Sequence, residues 1–405
     1  MNHTCGIDWA SDHHDVSIVN EHGMEVKQLR IEDTLEGYQE LLGALKILGG
    51  DIPVAIECKE HLLISFLVGE GYTVYPINPK SAERYKDRYN VGGTKTDPVD
   101  AFALADILRT DRYKHHPLAY SSDEVRRLQL LCGEYDKLLK NKNILEGQLF
   151  EALSKYFPLA LTLFGKNSCK ILYRLVMEYP TYEKLKAVSF DELSSFLKKN
   201  HYLLPKHIGK IYQKIQKSVY YHNDIFDEVL SVTAIGLSKV LLAVTEQLEM
   251  LKKKMSRITS SHVLGPIFSS LPGGGPVMSA KLLALMGDNQ ELYSDPAQVQ
   301  AYTGVAPIIK RSGKVSRVVF RFACNKAHRD TITWFAFCSM PHCSWAREFY
   351  DRKRQEGKRH YEACRLLAFK WLRIIFQLWK CGQRYNEEVH VGYLNKFKER
   401  RLKIA

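Results

Sequence analysis

Residues 6–29 read GIDWASDHHDVSIVNEHGMEVKQL, and their alternation decides the fold of the first third of the chain. Ile7, Val16, Ile18, Val26 and Leu29 mark apolar positions with the two-residue period of half-buried strands, and Asn20 to Gly23 supplies turn residues between them. Three antiparallel strands are expected. The pattern then changes to helix over Leu35 to Leu48, strand up to Glu57 in Val54-Ala55-Ile56-Glu57, helix over His61 to Val68, and strand over Tyr72 to Ile77. A further helix is expected over Pro98 to Arg109.

Three meandering strands followed by alternating helices and strands is the order of a ribonuclease-H-like (RuvC-like) α/β domain. In such a sheet the first and fourth strands lie side by side, which brings Asp8 and Glu57 together despite their separation in sequence. Lys95-Thr96-Asp97-Pro98-Val99-Asp100 adds two carboxylates one helical turn apart. Asp97 alone reads as an N-cap before a proline, and Asp100 alone as an acid in a first turn that the helix dipole favours. Asp8, inside an apolar strand, and Glu57, at a strand end, have no such reading, because an isolated buried carboxylate is unfavourable unless paired or metal-bound. Four hard oxygen ligands from two strands and one helix suit Mg²⁺, with room for two ions that clamp the attacking and leaving oxygens of a phosphodiester.

Composition agrees with a polyanionic partner without requiring one. The chain has 58 Lys plus Arg against 45 Asp plus Glu, a formal charge of +13, and an ordinary basic protein would look the same. With 405 residues, 45% of them hydrophobic, two or three domains are expected. The patterns divide the chain into an acid-bearing domain (1–120), a coiled-coil and helical region (121–262), a mainly α C-terminal domain (263–385) and a basic tail (386–405) containing Lys396, Lys398, Arg400, Arg401 and Lys403. No uninterrupted apolar run reaches the length of a membrane span, and Met1-Asn2-His3 leads into a strand, so a cytoplasmic protein without a membrane partner is expected. The nine cysteines are scattered without a Cys-x-x-Cys pair, which predicts reduced thiols. Cys338, His342 and Cys343 are near one another but lack the further ligand pair of a zinc site.

Two heptad seams flank the middle. Leu128, Leu131, Tyr135, Leu138, Leu145, Leu149 and Ala152 follow three-four spacing with a break at Lys142, and Leu241, Val244, Leu248, Leu251, Met255 and Ile258 follow it unbroken. Paired within one chain they would carry residues 156–232, rich in Lys and Tyr, as a helical tip; paired between chains they would make a dimer. Further on, Leu271-Pro272-Gly273-Gly274-Gly275-Pro276 precedes a helix over Val277 to Met286, and such a turn presents backbone amides to a phosphate, Gly273 and Gly275 among them. Lys310-Arg311-Ser312-Gly313-Lys314-Val315-Ser316-Arg317 surrounds Ser312 with cations in a predicted loop. Ser312 is thus placed to meet a phosphate, or is a turn residue in a basic loop that touches a DNA backbone through Lys310, Arg311, Lys314 and Arg317. A helix over Ala363 to Trp379 reads as core.

The ordered set Gly6-Ile7-Asp8-Trp9-Ala10, Glu57, Lys95 to Ala101, Leu271-Pro272-Gly273 and Ala301-Tyr302-Thr303-Gly304-Val305-Ala306-Pro307 through Lys314 resembles the insertion-sequence-110 family of DEDD transposases, over nearly the whole chain. The resemblance implies a RuvC-like domain whose acids are Asp8, Glu57, Asp97 and Asp100, and a C-terminal transposase domain with a serine nucleophile. Ser312 matches that role better than Ser316 or Ser279, since it alone combines a following glycine with basic neighbours. The family's implied activity is excision and insertion of its own element. It uses element-end and target DNA, a structured noncoding bridge RNA as guide, a phosphoserine intermediate and a dimer of dimers. Two departures, Pro272-Gly273-Gly274-Gly275 and Cys324 to Arg329, bear on DNA contacts and leave the acids untouched. The competing readings are a RuvC-like nuclease or junction resolvase that hydrolyses DNA with water, and a non-catalytic RNA-binding scaffold.

Overall fold

The computed structural model describes residues 2–58, 61–86, 97–118, 121–165, 169–202, 205–221, 223–312, 315–322 and 324–392, with only the backbone at Lys86, Asp97, Pro98, Cys169, Pro205, Lys206, Ser312 and Val315. Two compact units, Met1–Tyr120 and Ser121–Ala405, divide the chain.

The first unit is a five-stranded sheet in the order β3-β2-β1-β4-β5. Strands β1 (Thr4–Trp9), β2 (His13–Val19) and β3 (Glu25–Glu32) form the antiparallel meander, and α1 (Leu35–Ile47) leads to β4 (Val54–Ile56). Helix α2 (Leu62–Gly69), strand β5 (Val74–Pro76), α3 (Pro79–Lys86) and α4 (Asp97–Asp111) follow. Strand β4 runs parallel to β1 and to β5. This is the expected ribonuclease-H-like arrangement, and it follows from the sequence because the meander uses short turns while each parallel return needs a helical crossover.

Strand parity separates two cores. Cys5, Ile7, Val16, Ile18, Val54 and Ile56 join Tyr38, Leu41 and Leu45 of α1 and Leu63, Ile64 and Leu67 of α2 on one face. On the other face Ala55, Tyr75 and Ile77 meet Ala103, Leu104, Ile107 and Leu108 of α4. Gly6 marks the closest approach: a Cβ there would lie 2.1 Å from the Ala101 carbonyl oxygen and 2.3 Å from the Ala105 nitrogen. Only glycine lets the helix backbone descend onto the strand, and the Thr4 hydroxyl, donating to the Ala105 carbonyl at 2.9 Å, fixes the register.

The second unit begins with α5 (Asp123–Tyr156), continues through the short helices α6 (Ala160–Leu163), α7 (Cys169–Glu178), α8 (Tyr182–Lys186), α9 (Phe190–Lys199) and α10 (Pro205–Lys217), and returns along α11 (Asp224–Ser261). Leu149 and Leu153 share a core with Ala234 and Leu241, whereas Val125 and Leu128 share another with Met255. Helices α5 and α11 are therefore an antiparallel pair within one chain, with the α6–α10 helices packed at the far end. The heptad break at Lys142 is filled by an ion pair to Glu146 at 2.5 Å, and the Tyr173 hydroxyl donates to the same carboxylate. Helix α11 contains an 18-residue window of mean hydropathy 1.6 and is, among the described residues, the one helix long and apolar enough by length and composition to cross a membrane. Ser, Thr, Gly and Lys punctuate it, so it holds no uninterrupted apolar run of that length.

The rest of the unit comprises α12 (Gly265–Ser269), α13 (Gly275–Met286), α14 (Pro296–Tyr302), the hairpin β6 (Ile308–Ser312) and β7 (Val315–Val319), α15 (Lys326–Ser339), α16 (Ser344–Gln355) and α17 (His360–Cys381). Helix α13 is buried almost all round, from Met278 to Met286, against Phe335 and Trp371 among others. The indoles of α17 are also satisfied, Trp371 Nε1 donating to Ser339 Oγ at 2.9 Å and Trp379 Nε1 to the Gly287 carbonyl at 2.8 Å.

Candidate active site

The N-terminal acids are placed by register. Ile7 pairs with Ile56 and Gly6 with Ala55 across the parallel β1/β4 ladder, so Asp8 and Glu57 are the next residues on two adjacent strands, both at carboxyl ends. Asp8 lies two residues beyond Gly6, and Glu57 two beyond Ala55, so both share the parity of the face that α4 covers. Helix α4 contacts that face through Ala101 and Ala105, which puts its first turn, with Asp97 and Asp100, at the same end of the sheet. Asp8, Glu57 and Asp100 are half-buried. The Asp97 side chain lies outside the described residues. Carboxyl ends of adjacent strands beside a helix start are where open α/β sheets leave a crevice, and the donor set there is all carboxylate oxygen, the chemistry Mg²⁺ accepts.

A further acid shares this face and was missed in the sequence. Asp15 faces Asp8 across β1/β2, is buried, and is gripped by Arg30 through two bonds of 2.9 Å. The bidentate fork neutralises Asp15 and leaves it a buttress beside Asp8. Arg30 comes from β3, so only the strand register reveals the pair.

On the opposite face, His14, Asp33 and His61 place one ligand atom each within 4.8 Å of one another, the group among the described residues that most resembles a metal site. His14 Nε2 lies 3.1 Å and His61 Nε2 3.6 Å from the Asp33 carboxylate, which also accepts from the Tyr38 hydroxyl. His61 Nδ1 accepts from the Leu63 N–H at 3.3 Å as the N-cap of α2, so Nε2 carries the ring proton and turns it toward Asp33. Asp33 thus draws both rings and the Tyr38 hydroxyl towards itself, and this mixed imidazole and carboxylate set suits a hard cation less than the all-carboxylate set on the other face. Burial pushes Asp33 upward, but the bonds from Tyr38 and His14 outweigh it and hold the carboxyl below its ordinary range. Burial likewise holds His14 below the usual imidazole value, against the pull of Asp33. Cys338, His342 and Cys343 form no metal-binding group among the described residues; Cys343 Sγ instead lies 3.6 Å from the Tyr385 hydroxyl.

Ser312 is the last residue of β6, paired with Val315 in the final rung, so it ends a strand where a loop was expected. Its side chain, Gly313 and Lys314 lie outside the described residues. Lys310 faces Arg317 directly across the ladder, and Arg311 faces Ser316. Lys310, Arg311 and Arg317 are exposed. Like charges opposite one another destabilise a ribbon unless an anion lies between them, so the hairpin's cations favour a phosphate.

The glycine-rich turn divides its labour. Gly273, at φ 71°, packs where a Cβ would lie 2.1 Å from the Cys338 carbonyl oxygen, so its glycine is required by packing. Gly275, at φ 57°, opens α13 with no atom within 4 Å of such a Cβ and is exposed. Of the two, Gly275 is placed to approach a ligand, beside a cavity of 250 Å³ lined by Ser256, Ser260, Ser269 and Ser279.

Sequence comparison adds an independent line. Residues 5–158 match a DEDD transposase family of the IS110 type, and residues 265–351 match the transposase family of IS116, IS110 and IS902. A Streptomyces coelicolor protein named for the transposase of the IS117 mini-circle is 30% identical over 398 residues, 95% of each chain. The 42 kDa protein of insertion element IS900 from Mycobacterium paratuberculosis is 23% identical over 380 residues, 92% of this chain and 94% of its own. The 44.8 kDa protein of insertion element IS116 from Streptomyces clavuligerus is 23% identical over 389 residues, 92% of this chain and 93% of its own.

Proposed function

Because the chain belongs to the IS110 family of transposases, and is thereby a DNA-processing enzyme, we propose that it cuts and rejoins DNA through a covalent serine link. The cofactor is a divalent cation, Mg²⁺, held by Asp8, Glu57, Asp97 and Asp100. The observation that carries this reading is the pairing of Ile7 with Ile56, which sets Asp8 and Glu57 side by side at the carboxyl ends of β1 and β4 on the face where α4 begins. When bound, the metal supplies Lewis-acid polarisation of the phosphodiester and neutralises charge on its oxygens.

The chain's own residues supply the rest. Lys310, Arg311, Lys314 and Arg317 draw the DNA backbone to the hairpin, and Gly275 offers amide donors from the start of α13. Ser312 Oγ forms the bond to phosphorus while the bond from phosphorus to a deoxyribose oxygen breaks, and the serine proton ends on that departing oxygen. A sugar hydroxyl of the partner strand then attacks the phosphoserine and restores Ser312, so the bond energy is conserved for rejoining without hydrolysis. The Asp15–Arg30 pair stands next to Asp8 and steadies the strand that carries it. Acids and serine belong to different units, which favours a site assembled in a homo-oligomer, a dimer or dimer of dimers, with a structured guide RNA choosing the DNA. A cytoplasmic, nucleoid-associated location goes with this reading.

The test is adduct formation. Full-length protein, Mg²⁺, element-end DNA and the element's own noncoding RNA are incubated and denatured, and protein-linked DNA is measured. Wild type forms the adduct and Ser312→Ala does not. An adduct that survives Ser312→Ala overturns the serine assignment, and wild-type cleavage without any adduct returns the site to a water-using nuclease.

A further inference from the structure

Immediately after β7 the chain carries Phe320, Arg321 and Phe322, at the end of the hairpin away from Ser312. The Phe320 ring is approached by two guanidinium groups from two different helices. Arg329 of α15 has its Cζ 4.7 Å from the ring centroid, and Arg365 of α17 has its Cζ 4.6 Å away. Two cations on one half-buried ring repel each other, and the ring's quadrupole only partly offsets this. Local carboxylates do little more. Glu362, on the same helix as Arg365, is taken by Lys358 at 3.0 Å, and the Asp330 carboxylate is 4.0 Å from Arg329 Nε and 79% exposed. Arg329 is held in place by donating Nη1 to the Arg321 carbonyl at 3.3 Å. The result is a pair of forked donors over one ring, Arg329 anchored, with excess positive charge, the arrangement that recognises a phosphodiester.

Beside this pair stands an aromatic that is mostly exposed. Phe322 is 76% exposed, its ring meeting Phe320 edge-on at 4.9 Å, and Tyr361, one helical turn before Arg365, is 79% exposed. An exposed phenyl ring leaves water by stacking on a flat apolar partner, and a nucleic-acid base offers one only when it is not already stacked within a duplex. An acidic peptide would satisfy the arginines but give Phe322 nothing to cover it.

Resting on the reading that the chain acts on nucleic acid, we propose that this surface holds one unpaired nucleic-acid strand, with Arg329 and Arg365 on a phosphodiester and Phe322 stacked on the adjacent base. Five residue steps along the ribbon separate Phe320 from Val315, which pairs with Ser312, about 17 Å at the usual strand rise. The surface therefore grips a strand a few nucleotides from the bond that Ser312 would attack.

The experiment is binding of the full-length protein to three fluorescent probes of about 20 nucleotides, single-stranded DNA, RNA of the same sequence and duplex DNA, followed by anisotropy between about 50 and 200 mM salt. Phe322→Ala is expected to weaken single-strand binding about tenfold and duplex binding less than twofold. Arg365→Gln is expected to weaken all probes and to lower the salt slope by about one, while Arg365→Lys restores that slope. The single strand bound more tightly, DNA or RNA, identifies the occupant. Phe322→Ala binding single strands within twofold of wild type, or losing duplex affinity as much as single-strand affinity, overturns the inference. Wild type that binds none of the probes would remove the nucleic-acid reading itself. Unchanged circular dichroism and thermal midpoint in Phe322→Ala, whose side chain is solvent-facing, secure the comparison.

Discussion

Asp8 and Glu57 stand on strands hydrogen-bonded on both sides and roofed by α4, whereas Ser312 ends a ribbon of two strands whose Ile309 and Val318 are 58% and 70% exposed. The acids are held by a core; the serine is held by one ladder. A two-stranded ribbon alone is marginal in water, and this one sets Lys310 against Arg317. The difference teaches that the carboxylates proposed to hold the metal are positioned by the fold itself, while the ribbon that carries Ser312 would gain stabilisation from a phosphate bound between its cations. Substitutions at the acid end should therefore act on chemistry or on folding, and substitutions at the hairpin on DNA affinity.

The largest separation comes from Asp8→Asn and Glu57→Gln. Each should lower DNA cleavage by about a thousandfold, some 4 kcal/mol of activation free energy, with the denaturant midpoint unchanged. A midpoint that falls with activity would mean that these residues support the sheet instead. Next is Gly6→Ala, whose methyl would run into the α4 backbone at Ala101 and Ala105. Overpacking against a backbone that cannot move aside should cost about 3 kcal/mol in urea unfolding, and a loss under 1 kcal/mol would show that α4 is not seated on β1 as described. At the hairpin, Lys310→Ala and Arg317→Ala should each weaken DNA binding about tenfold and lower the salt slope by about one. Neither should destabilise the fold, and removing one cation should slightly relieve the other. A loss of stability in either variant would erase the contrast between the two regions.

The smallest effect is a pH dependence to which the N-terminal unit contributes through His14 and Asp33. His14 is held below its ordinary value by burial, so the unfolded chain binds a proton that the folded chain refuses. Asp33 is also held low, by the Tyr38 and His14 bonds that outweigh its burial. Both shifts act in the same direction: stability present at neutral pH is lost as pH falls below about 6.5, first through His14 and at lower pH through Asp33. Unfolding free energy should decline by no more than about 1.4 kcal/mol per pH unit for the histidine proton. His14→Phe should make that first part of the curve shallower, with His115 and His390, also held low by burial, supplying the rest, and an unchanged slope in the variant would remove His14 from it.

Much of this was legible before the structure, for identifiable reasons. Asp8 and Glu57 could be read because a carboxylate breaking an apolar strand is costly without a partner, and the meander-then-crossover order places strands 1 and 4 together. The two long helices could be read from their three-four spacing, but not their pairing, since a heptad seam looks the same whether its partner is in the same chain or another. Asp15 could not be read, because its neutralising Arg30 is fifteen residues away on another strand and only the register joins them. His14, Asp33 and His61 come from a strand, a turn and a helix start, on the face opposite the acids, and nothing in their spacing announces a cluster. Gly273 in sequence reads as a phosphate-turn glycine, yet its close neighbour is the Cys338 carbonyl, more than sixty residues on.

The most direct measurement is Mn²⁺ binding to the full-length protein, followed by the loss of the free-ion electron paramagnetic resonance signal. Wild type and His14→Phe should take up the ion alike, while Asp8→Asn and Glu57→Gln should lose that uptake. Retained uptake in both acid variants, or its loss in His14→Phe alone, would contradict the placement of the metal at the carboxyl ends of β1 and β4.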